Sequence, residues 1–260
     1  MKILVTGHRG FIGGHLYSEL KKQGYNPDGF DLNDQLVDQK YDYIFHFAAR
    51  GLIRKSIEKP FEYFLDDLGL TLRILEIARK HGSTLIFPTS GSVAEPTNPY
   101  SLSKKQSVEW IKLYGKLYGL KYYILKFYNI YGEGSRKGAV YLFTKAALNG
   151  GDIVVYGDGD HIRDFFNVKD VVRGCMKIIG NEIHPGEYEF GSGIGTSVKE
   201  LIAKVQEETG KFLKIEKKEY ILPEAERLVA SNPIISDPLP LSEGIRQVKA
   251  FVEKESSDSA

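Results

Sequence analysis

The chain has 260 residues, 42% of them hydrophobic and 27% charged, which is ordinary globular material for one large domain or two lobes. Its formal net charge is only +1, so it lacks the excess of basic residues that nucleic acid or an anionic membrane would require, and neither is an expected partner. The single cysteine, Cys175, excludes a disulfide within one chain and is expected to be a buried apolar residue of a reducing, cytoplasmic protein.

Short apolar runs alternate with longer segments of helical periodicity in the first half of the chain. The apolar runs are KILVT at 2–6, YIFHF at 43–47, TLIFP at 84–88 and YYILKF at 122–127, and the helical segments are 11–22, 61–80 and 100–118. This alternation is typical of a parallel sheet covered by helices on both faces, so we expect an α/β, doubly wound fold. The first run is soon broken by glycine, which makes it too short for a signal peptide or a membrane span.

Three glycines, Gly7, Gly10 and Gly13, follow the first predicted strand in TGHRGFIGGHL and open the first predicted helix. At such a junction one glycine permits a tight turn, one lets the backbone approach a pyrophosphate, and one lets the helix pack against the strand. The helix N-terminus then presents free N–H groups to the phosphates. This context predicts a Rossmann-like dinucleotide-binding domain.

An acidic residue, Asp31 in GFDLND, lies about 20 residues beyond these glycines at the end of the expected second strand, where a carboxylate would bind a ribose 2′-OH. Its negative charge would repel a 2′-phosphate, so NAD is favoured over NADP. Arg9, inside the glycine loop, is the residue that argues for NADP. The alternative interpretation of Asp31 is an ordinary turn residue.

The stretch PYSLSKKQSV at 99–108 places a tyrosine and a lysine four residues apart at a predicted helix start. Pro99 suits the first helical position because its φ is fixed near the helical value and it has no N–H to leave unpaired. Tyr100 and Lys104 then share one face of the helix, because residues four apart are neighbours. The alternative is an amphipathic helix whose lysine is simply solvated.

Taken in order, the glycine loop, DYIFHFAA at 42–49 and the Y-x-x-x-K pair resemble motifs of the extended short-chain dehydrogenases/reductases. More narrowly, the chain is similar to the NAD-dependent sugar-nucleotide epimerase/dehydratase family. FPTSGSV at 87–93 resembles the family's catalytic Ser/Thr strand, KFYNIYGEG at 126–134 its R-x-x-N-x-Y-G-P-G motif, and GDGDHIRDFFNVKDV at 157–171 its G-D-G-x-x-x-R-D-F-x-x-V-x-D motif. The resemblance extends to about residue 205 and implies an enzyme that uses NAD.

The domain organisation changes near residue 130, where glycine becomes frequent and the predicted strands become less regular. We expect residues 1–130 to form an NAD-binding Rossmann domain, to which a segment of about 165–192 returns. Residues 131–260 are expected to form a smaller, interleaved C-terminal lobe that binds the substrate.

The resemblance implies that Ser90, Tyr100 and Lys104 are the catalytic residues. Oxidation of a sugar alcohol needs a base for the hydroxyl proton, and a free tyrosine, with a pKa of about 10, is a poor base at neutral pH. We expect Lys104 and the oxidised nicotinamide to lower the pKa of Tyr100, because positive charges favour the phenolate. Thr89 and Ser92 are the alternatives to Ser90 as the hydroxyl that binds the reacting sugar oxygen.

The resemblance also implies which residues contact the cofactor. It places the end of the strand at 43–47 against NAD rather than in the chemistry, so His46 is expected to be a packed residue. The six histidines show no metal-ligand spacing, and no metal is expected. The implied cofactor contacts are Gly7, Gly10, Phe11, Ile12, Gly13, Asp31, Ala48 and Lys104.

The residues that follow Ser90 help to choose the reaction. Family members that dehydrate the sugar carry an Asp-Glu pair just after the catalytic threonine, whereas this chain has Gly91 and Ser92. We therefore expect a sugar-nucleotide 4-epimerase that oxidises C4, lets the 4-keto sugar turn over, and returns the hydride to the other face. The alternatives are an NAD(P)H-dependent 4-keto sugar-nucleotide reductase and, in a different class, a dinucleotide-binding module without chemistry.

Substrate binding is implied for two residues, one next to the boundary of the C-terminal lobe and one within it. Asn129 and Arg163 match positions that bind the diphosphate of a nucleotide-diphosphate sugar in the family, and a guanidinium suits phosphate oxygens. The alternative for Arg163 is a surface ion pair with Asp160 or Asp164. The resemblance further implies a homodimer built from the helices at 61–80 and 100–118.

Three features depart from the family pattern. Only nine residues separate Asp31 from Tyr41, where the family usually inserts another strand and helix. The C-terminal lobe is short, and Asp67 occupies a position where the family commonly has asparagine. The expected consequence of the short segment is either looser adenine binding or a sheet with one strand fewer, and that of the short lobe is a more open sugar site.

Overall fold

The protein was analysed as a computed structural model, which describes residues 1–32, 34–51, 53–91, 96, 98–219 and 225–257, without the side chains of 53 and 54. The strands are β1 Ile3–Thr6, β2 Asp28–Phe30, β3 Tyr43–His46, β4 Thr84–Ser90, β5 Tyr122–Phe127, β6 Ile130–Tyr131, β7 Asp152–Tyr156, β8 Ile162–Asp164, β9 Phe166–Asn167, β10 Gly186–Phe190, β11 Gly195–Ser197, β12 Lys214–Lys218 and β13 Arg227–Leu228. The helices are α1 Phe11–Lys22, α2 Ile53–Glu58, α3 Pro60–Tyr63, α4 Leu70–His81, α5 Pro99–Tyr118, α6 Gly138–Asn149, α7 Val168–Ile179, α8 Val198–Thr209 and α9 Leu241–Ser257. Among the described residues, no helix is both long enough and apolar enough to span a membrane.

The chain divides into two compact units, Met1–Phe127 with Gly174–Tyr188, and Tyr128–Arg173 with Glu189–Ala260. The chain therefore passes from one unit to the other three times. The expectation that one part binds the cofactor and the other the substrate stays a prediction.

A six-stranded sheet in the order β10-β5-β4-β3-β1-β2 is the centre of the first unit. Strands β2, β1, β3, β4 and β5 pair in parallel with their neighbours. The centre of the sheet is apolar, with Leu4, Ile44, Leu85 and Ile124 each at most 2% exposed. The fold is thus α/β with a parallel, Rossmann-like sheet, which confirms the fold expected from the alternating pattern.

The prediction of one regular helix over 61–80 is wrong. The segment consists of α3, a π-helical segment at Phe64–Gly69, and α4. A π-helical turn holds more residues than an α-helical turn, and it shifts the residues that follow it around the helix axis. Here it accompanies the burial of Asp67, whose backbone carbonyl accepts a hydrogen bond of 2.7 Å from the Thr71 hydroxyl.

The short connection after β2 leaves β2 at the edge of the sheet. None of the described residues between Asp31 and Asp42 forms a strand. This connection is held by side-chain hydrogen bonds, because Asp38 accepts from Lys80 at 2.6 Å and from His81 at 2.7 Å. The short connection between Asp31 and Tyr41 therefore contacts the end of α4.

The second unit contains helices α6, α8 and α9 and three small sheets. Strands β7 and β12 pair in parallel, β8 pairs with β11 and β13, and β6 pairs with β9. The helices enclose a core that includes Val140, Leu201, Val205, Ile245 and Val248, each at most 1% exposed.

Candidate active site

The glycine loop is a tight turn between β1 and α1. Gly7 has φ +73°, a conformation that favours glycine, and a Cβ there would lie 2.7 Å from the backbone nitrogen of Ala48. A Cβ on Gly13 would lie 2.2 Å from the carbonyl oxygen of Gly7, so the close approach of helix and strand also requires glycine. The loop is closed by the N–H of Gly10, which donates to the Gly7 carbonyl at 2.9 Å.

Helix α1 begins directly after this loop without a side-chain cap. Its N-cap is Gly10, which has no side chain to accept hydrogen bonds from the N–H groups of the first turn. Phe11 and Ile12 are the first helical residues, and the Phe11 ring packs edge-on against the His15 ring at 5.6 Å. Uncapped N–H groups at a helix start are suited to phosphate oxygens, so the loop fits the pyrophosphate of a dinucleotide.

Asp31 lies directly after β2, beside the glycine loop. Its Oδ2 accepts from the backbone N–H of Arg9 at 3.0 Å and lies 3.4 Å from Nδ1 of His8. The guanidinium of Arg9 donates instead to Asp34, at 3.0 Å. The charge of Arg9 is thus already matched by a carboxylate of the same connection.

A buried hydrogen-bond chain beside the loop joins strands β1 and β3 to helix α4. The N–H of Ala48 donates to the Thr6 hydroxyl at 3.0 Å, and that hydroxyl is 2.8 Å from Nδ1 of His46. The other ring nitrogen of His46 is 3.1 Å from the Thr71 hydroxyl on α4. Burial, with the positive charge of Lys104, lowers the pKa of His46 to about 3, so the ring is neutral and packed, as the sequence indicated.

Helix α5 begins where the sequence predicts. The Asn98 side chain accepts from the N–H of Ser101 at 2.9 Å, and Pro99 occupies the first turn. One turn later Lys104 is only 4% exposed, so it is not the solvated lysine of the alternative interpretation. Its Nζ donates to the carbonyl of Pro88 at 3.4 Å and lies 4.5 Å from the Phe87 ring centre. Helix α5 therefore places the ammonium of Lys104 beside the last residues of β4.

The ionisation of the tyrosine and lysine differs from the expectation. Burial raises the pKa of Tyr100 to about 12, and the negative charges of Asp67 and Tyr63 act in the same direction. Burial lowers the pKa of Lys104 to about 8, against the opposing effect of Asp67. The protein by itself therefore does not lower the pKa of Tyr100 as expected, because burial and the charge of Asp67 raise it.

The candidate hydroxyls lie at the end of β4. Ser90 is the last residue of the strand and is partly exposed. Thr89 is buried, and its Oγ1 has no hydrogen-bond partner among the described residues. Ser92 lies outside the described residues. The structure thus places Ser90 and Thr89 beside the strand segment that Lys104 contacts.

The second unit holds a cavity of about 380 Å³ that includes both predicted substrate-binding residues. Its polar lining includes Asn129, Tyr156, His161 and Arg163. The amide of Asn129 donates to the carbonyl of Asp164 at 3.0 Å, and the guanidinium of Arg163 donates to the carbonyl of Ala225 at 2.9 Å.

The carboxylates named as alternative partners of Arg163 are engaged elsewhere. Asp160 pairs with Lys199 at 2.6 Å. Asp164 is fully buried and accepts from the backbone N–H groups of Ser192, Gly193 and Ala230 at 2.7 to 3.1 Å. In the described part of the chain, no group of three or more His, Cys, Asp or Glu side chains is placed to hold a metal ion.

Sequence reasoning missed the hydrogen-bond chain through Thr6, His46 and Thr71. It also named Asp67 only as a departure from the family, without its burial beside the tyrosine and lysine. The sequence contained a signal for the hydrogen-bond chain and for the burial of Asp67, because hydroxyl and carboxylate side chains in otherwise apolar segments are unusual in a protein core.

Residues 3–191 match the model of the NAD dependent epimerase/dehydratase family, and the chain therefore belongs to this family of enzymes. The cofactor of the family is NAD, which agrees with the glycine turn and the acidic residue after β2.

Three similar proteins are named as UDP-glucose 4-epimerases. A putative UDP-glucose 4-epimerase of Methanocaldococcus jannaschii is 32% identical, over 80% of this chain and 82% of the relative. The UDP-glucose 4-epimerase of Thermotoga maritima, solved with UDP-glucose, is 26% identical with a TM-score of 0.86, over 98% of this chain and 100% of the other. The UDP-glucose 4-epimerase of Thermus thermophilus, solved with NAD, is 25% identical with a TM-score of 0.83, over 97% and 99% of the two chains.

Proposed function

We propose that the protein is an NAD-dependent sugar-nucleotide 4-epimerase that works through a 4-keto intermediate. The observation that carries the proposal is the pairing of a half-buried Tyr100 with a buried Lys104 at the start of α5, the lysine reaching the end of β4. The named 4-epimerases among its relatives support the same reaction.

In this proposal Tyr100 accepts the proton of the C4 hydroxyl, Ser90 holds that hydroxyl by a hydrogen bond, and Lys104 favours the phenolate. Bound NAD would accept the hydride from C4 and return it to the opposite face. A tyrosine with a pKa of about 12 is almost entirely protonated at neutral pH, so the reaction requires a further positive charge in the pocket. An oxidised nicotinamide would supply such a charge, so that Tyr100 would accept the proton only in the NAD-loaded enzyme.

The residues proposed to hold NAD are Gly7, Gly10, Phe11, Ile12, Gly13, Asp31, Ala48 and Lys104. The preference for NAD over NADP rests on Asp31, because its carboxylate would repel a 2′-phosphate. Arg9 is a weak counter-argument, because its guanidinium is bound to Asp34 at 3.0 Å.

The substrate is proposed to be a UDP-hexose. The nucleoside diphosphate would use the cavity of the second unit, with Asn129 and Arg163 as donors. The uridine is inferred from the relatives, which are named as UDP-glucose 4-epimerases. The cytoplasm is the proposed location, in keeping with a single cysteine that is buried as a free thiol.

The proposal is tested by denaturing the purified protein, assaying the released NAD and NADP, and following C4 inversion of UDP-, GDP- and dTDP-hexoses by NMR with native enzyme. Tightly held NAD with inversion of a UDP-hexose is the expected result. Oxidation of added NAD(P)H by 4-keto sugars without inversion would instead identify a reductase. Nucleotide binding without either reaction would identify a binding module.

We also propose a homodimer formed through α5. Trp110, Leu113 and Leu117 are spaced three and four residues apart on this helix and are 40%, 41% and 58% exposed. Such a stripe of large apolar side chains is typical of an interface, and a two-fold axis would bury it against its own copy.

Leu113→Glu is expected to convert the dimer into a monomer, because a carboxylate would have to be buried twice in a symmetric interface. Sedimentation velocity or light scattering gives the mass in solution. Phe212→Glu is the matched control, since Phe212 is 91% exposed in the second unit and lies outside this stripe. A monomeric wild-type protein, or a dimer that survives the substitution in α5, would contradict the proposed interface.

A further inference from the structure

Asp67 is a buried carboxylate whose hydrogen bonding is incomplete. It is 3% exposed, and its Oδ1 accepts from the backbone N–H of Arg50 at 2.8 Å. Its Oδ2 is also buried but has no hydrogen-bond partner among the described residues. A buried carboxylate oxygen without a donor is unfavourable, so its retention requires a reason other than the stability of the protein by itself.

The positive charge of Lys104, on the helix α5 that packs against the segment of Asp67, is also incompletely matched. Lys104 is 4% exposed, its one hydrogen bond to Pro88 is long, and no carboxylate of the described residues forms an ion pair with it. Burial lowers the pKa of Lys104 and raises that of Asp67, and in each case the charge of the other residue opposes the effect of burial. The two charges therefore attract each other.

The other titratable groups around Asp67 do not replace this pairing. The Arg50 guanidinium pairs with Asp66 and Glu62, and His46 is neutral, with a pKa of about 3. The negative charge of Asp67 raises the pKa of Tyr100, which places the carboxylate within electrostatic reach of both proposed catalytic groups. The titratable groups that interact with Asp67 are thus Lys104 and Tyr100 on α5, together with Arg50 and Asp66.

We propose that Asp67 is a positioning residue whose carboxylate balances the ammonium of Lys104 and thereby favours the oxidised cofactor over the reduced one in this pocket. The inference rests on the proposed function, because it assigns the nicotinamide to the neighbourhood of Tyr100 and Lys104. The oxidised ring is positively charged and the reduced ring is neutral. A nearby carboxylate consequently stabilises only the oxidised form, whereas an asparagine would leave the lysine charge to repel it.

This preference has a direct consequence for a 4-epimerase. The hydride must return to the sugar before the keto intermediate leaves the site. A pocket that stabilises oxidised NAD favours that return. The reason is that the state with reduced NAD then has a higher free energy relative to the state with oxidised NAD. The open Oδ2 can in addition accept a hydrogen bond from a hydroxyl or amide of the bound ligand.

The test is the ratio of the affinities for oxidised and reduced NAD, measured by calorimetry or fluorescence on protein freed of its cofactor. In Asp67→Asn the preference for oxidised NAD should fall at least about tenfold, because the attraction between opposite charges is strong where water is excluded. Asp66→Asn is the matched control, because it makes the same change one residue away on a partly exposed side chain paired with Arg50. An unchanged ratio in Asp67→Asn, with both cofactors bound, would overturn the inference and leave the proposed function intact.

A second measurement uses the unaltered protein and does not depend on the variant being folded. Burial raises the pKa of Asp67, so lowering the pH should protonate it and reduce the same affinity ratio. Groups that affect both cofactors equally cancel in a ratio. A ratio independent of pH down to the limit of folding would refute the inference, and failure to bind either cofactor would refute both the inference and the proposed function.

Discussion

Replacement of Tyr100 by phenylalanine is expected to lower kcat for epimerisation by about 10²- to 10⁴-fold, the usual contribution of a positioned acid or base. The phenylalanine ring keeps the packing of the buried site and removes only the hydroxyl that accepts the proton. NAD retention and thermal stability should therefore stay close to those of the wild type. Steady-state kinetics, assay of released NAD and a thermal melt together check the expectation.

The control for this variant is Tyr118→Phe at the other end of α5. Tyr118 is 55% exposed, so the same loss of a hydroxyl should leave kcat unchanged. Normal turnover by Tyr100→Phe would exclude Tyr100 as the proton acceptor. Loss of bound NAD along with activity would instead show that the residue holds the cofactor.

Replacement of Lys104 by methionine is expected to abolish turnover and yet to stabilise the protein without its ligands. The folded-state pKa of Lys104 is about 8, against 10.5 for an ordinary lysine. A downward displacement of this size means that burying the ammonium costs about 3 kcal/mol at neutral pH. Methionine fills a similar volume without a charge, so the free energy of unfolding near pH 7 should rise by up to that amount.

The stability difference between Lys104→Met and the wild type is expected to depend on pH. Below pH 8 the lysine is charged in both the folded and the unfolded chain, and the penalty is fully present. Between pH 8 and 10.5 the unfolded chain binds a proton that the folded chain does not, so the wild type gains stability as the pH rises. The advantage of Lys104→Met should thus shrink across this window in urea unfolding experiments.

Lys116→Met is the control, because Lys116 is exposed on the same helix and carries no comparable penalty. If Lys104→Met is less stable than the wild type, the ammonium of Lys104 stabilises the folded protein. Retained turnover in that variant would contradict its role beside Tyr100.

The sequence was most informative where a short local pattern determines the structure. Gly7 suits the positive φ of its turn, Gly13 is required by contact with that turn, and Pro99 with Asn98 defines the start of α5, so these features could be predicted from their neighbours. The π-helical segment at Phe64–Gly69 could not, because an apolar stripe over so few residues does not separate an α-helical from a π-helical period.

The electrostatics of the site were beyond the reach of the sequence. The pKa of Tyr100 depends on burial by several elements and on Asp67, which is 33 residues earlier in the chain. The cavity of the second unit likewise combines residues from β6, α6, β7 and β8. Such properties arise from long-range packing, which motif spacing does not encode.

The position of β10 at the edge of the central sheet has a consequence for synthesis of the chain on the ribosome. Strand β5 ends at residue 127, but the strand that covers its outer edge ends only at residue 190. At a usual elongation rate of about 5–20 residues per second, that edge stays unpaired for several seconds while the intervening residues are added. An open strand edge is a template for pairing with other chains, so this interval is when the nascent polypeptide has the greatest need of a chaperone.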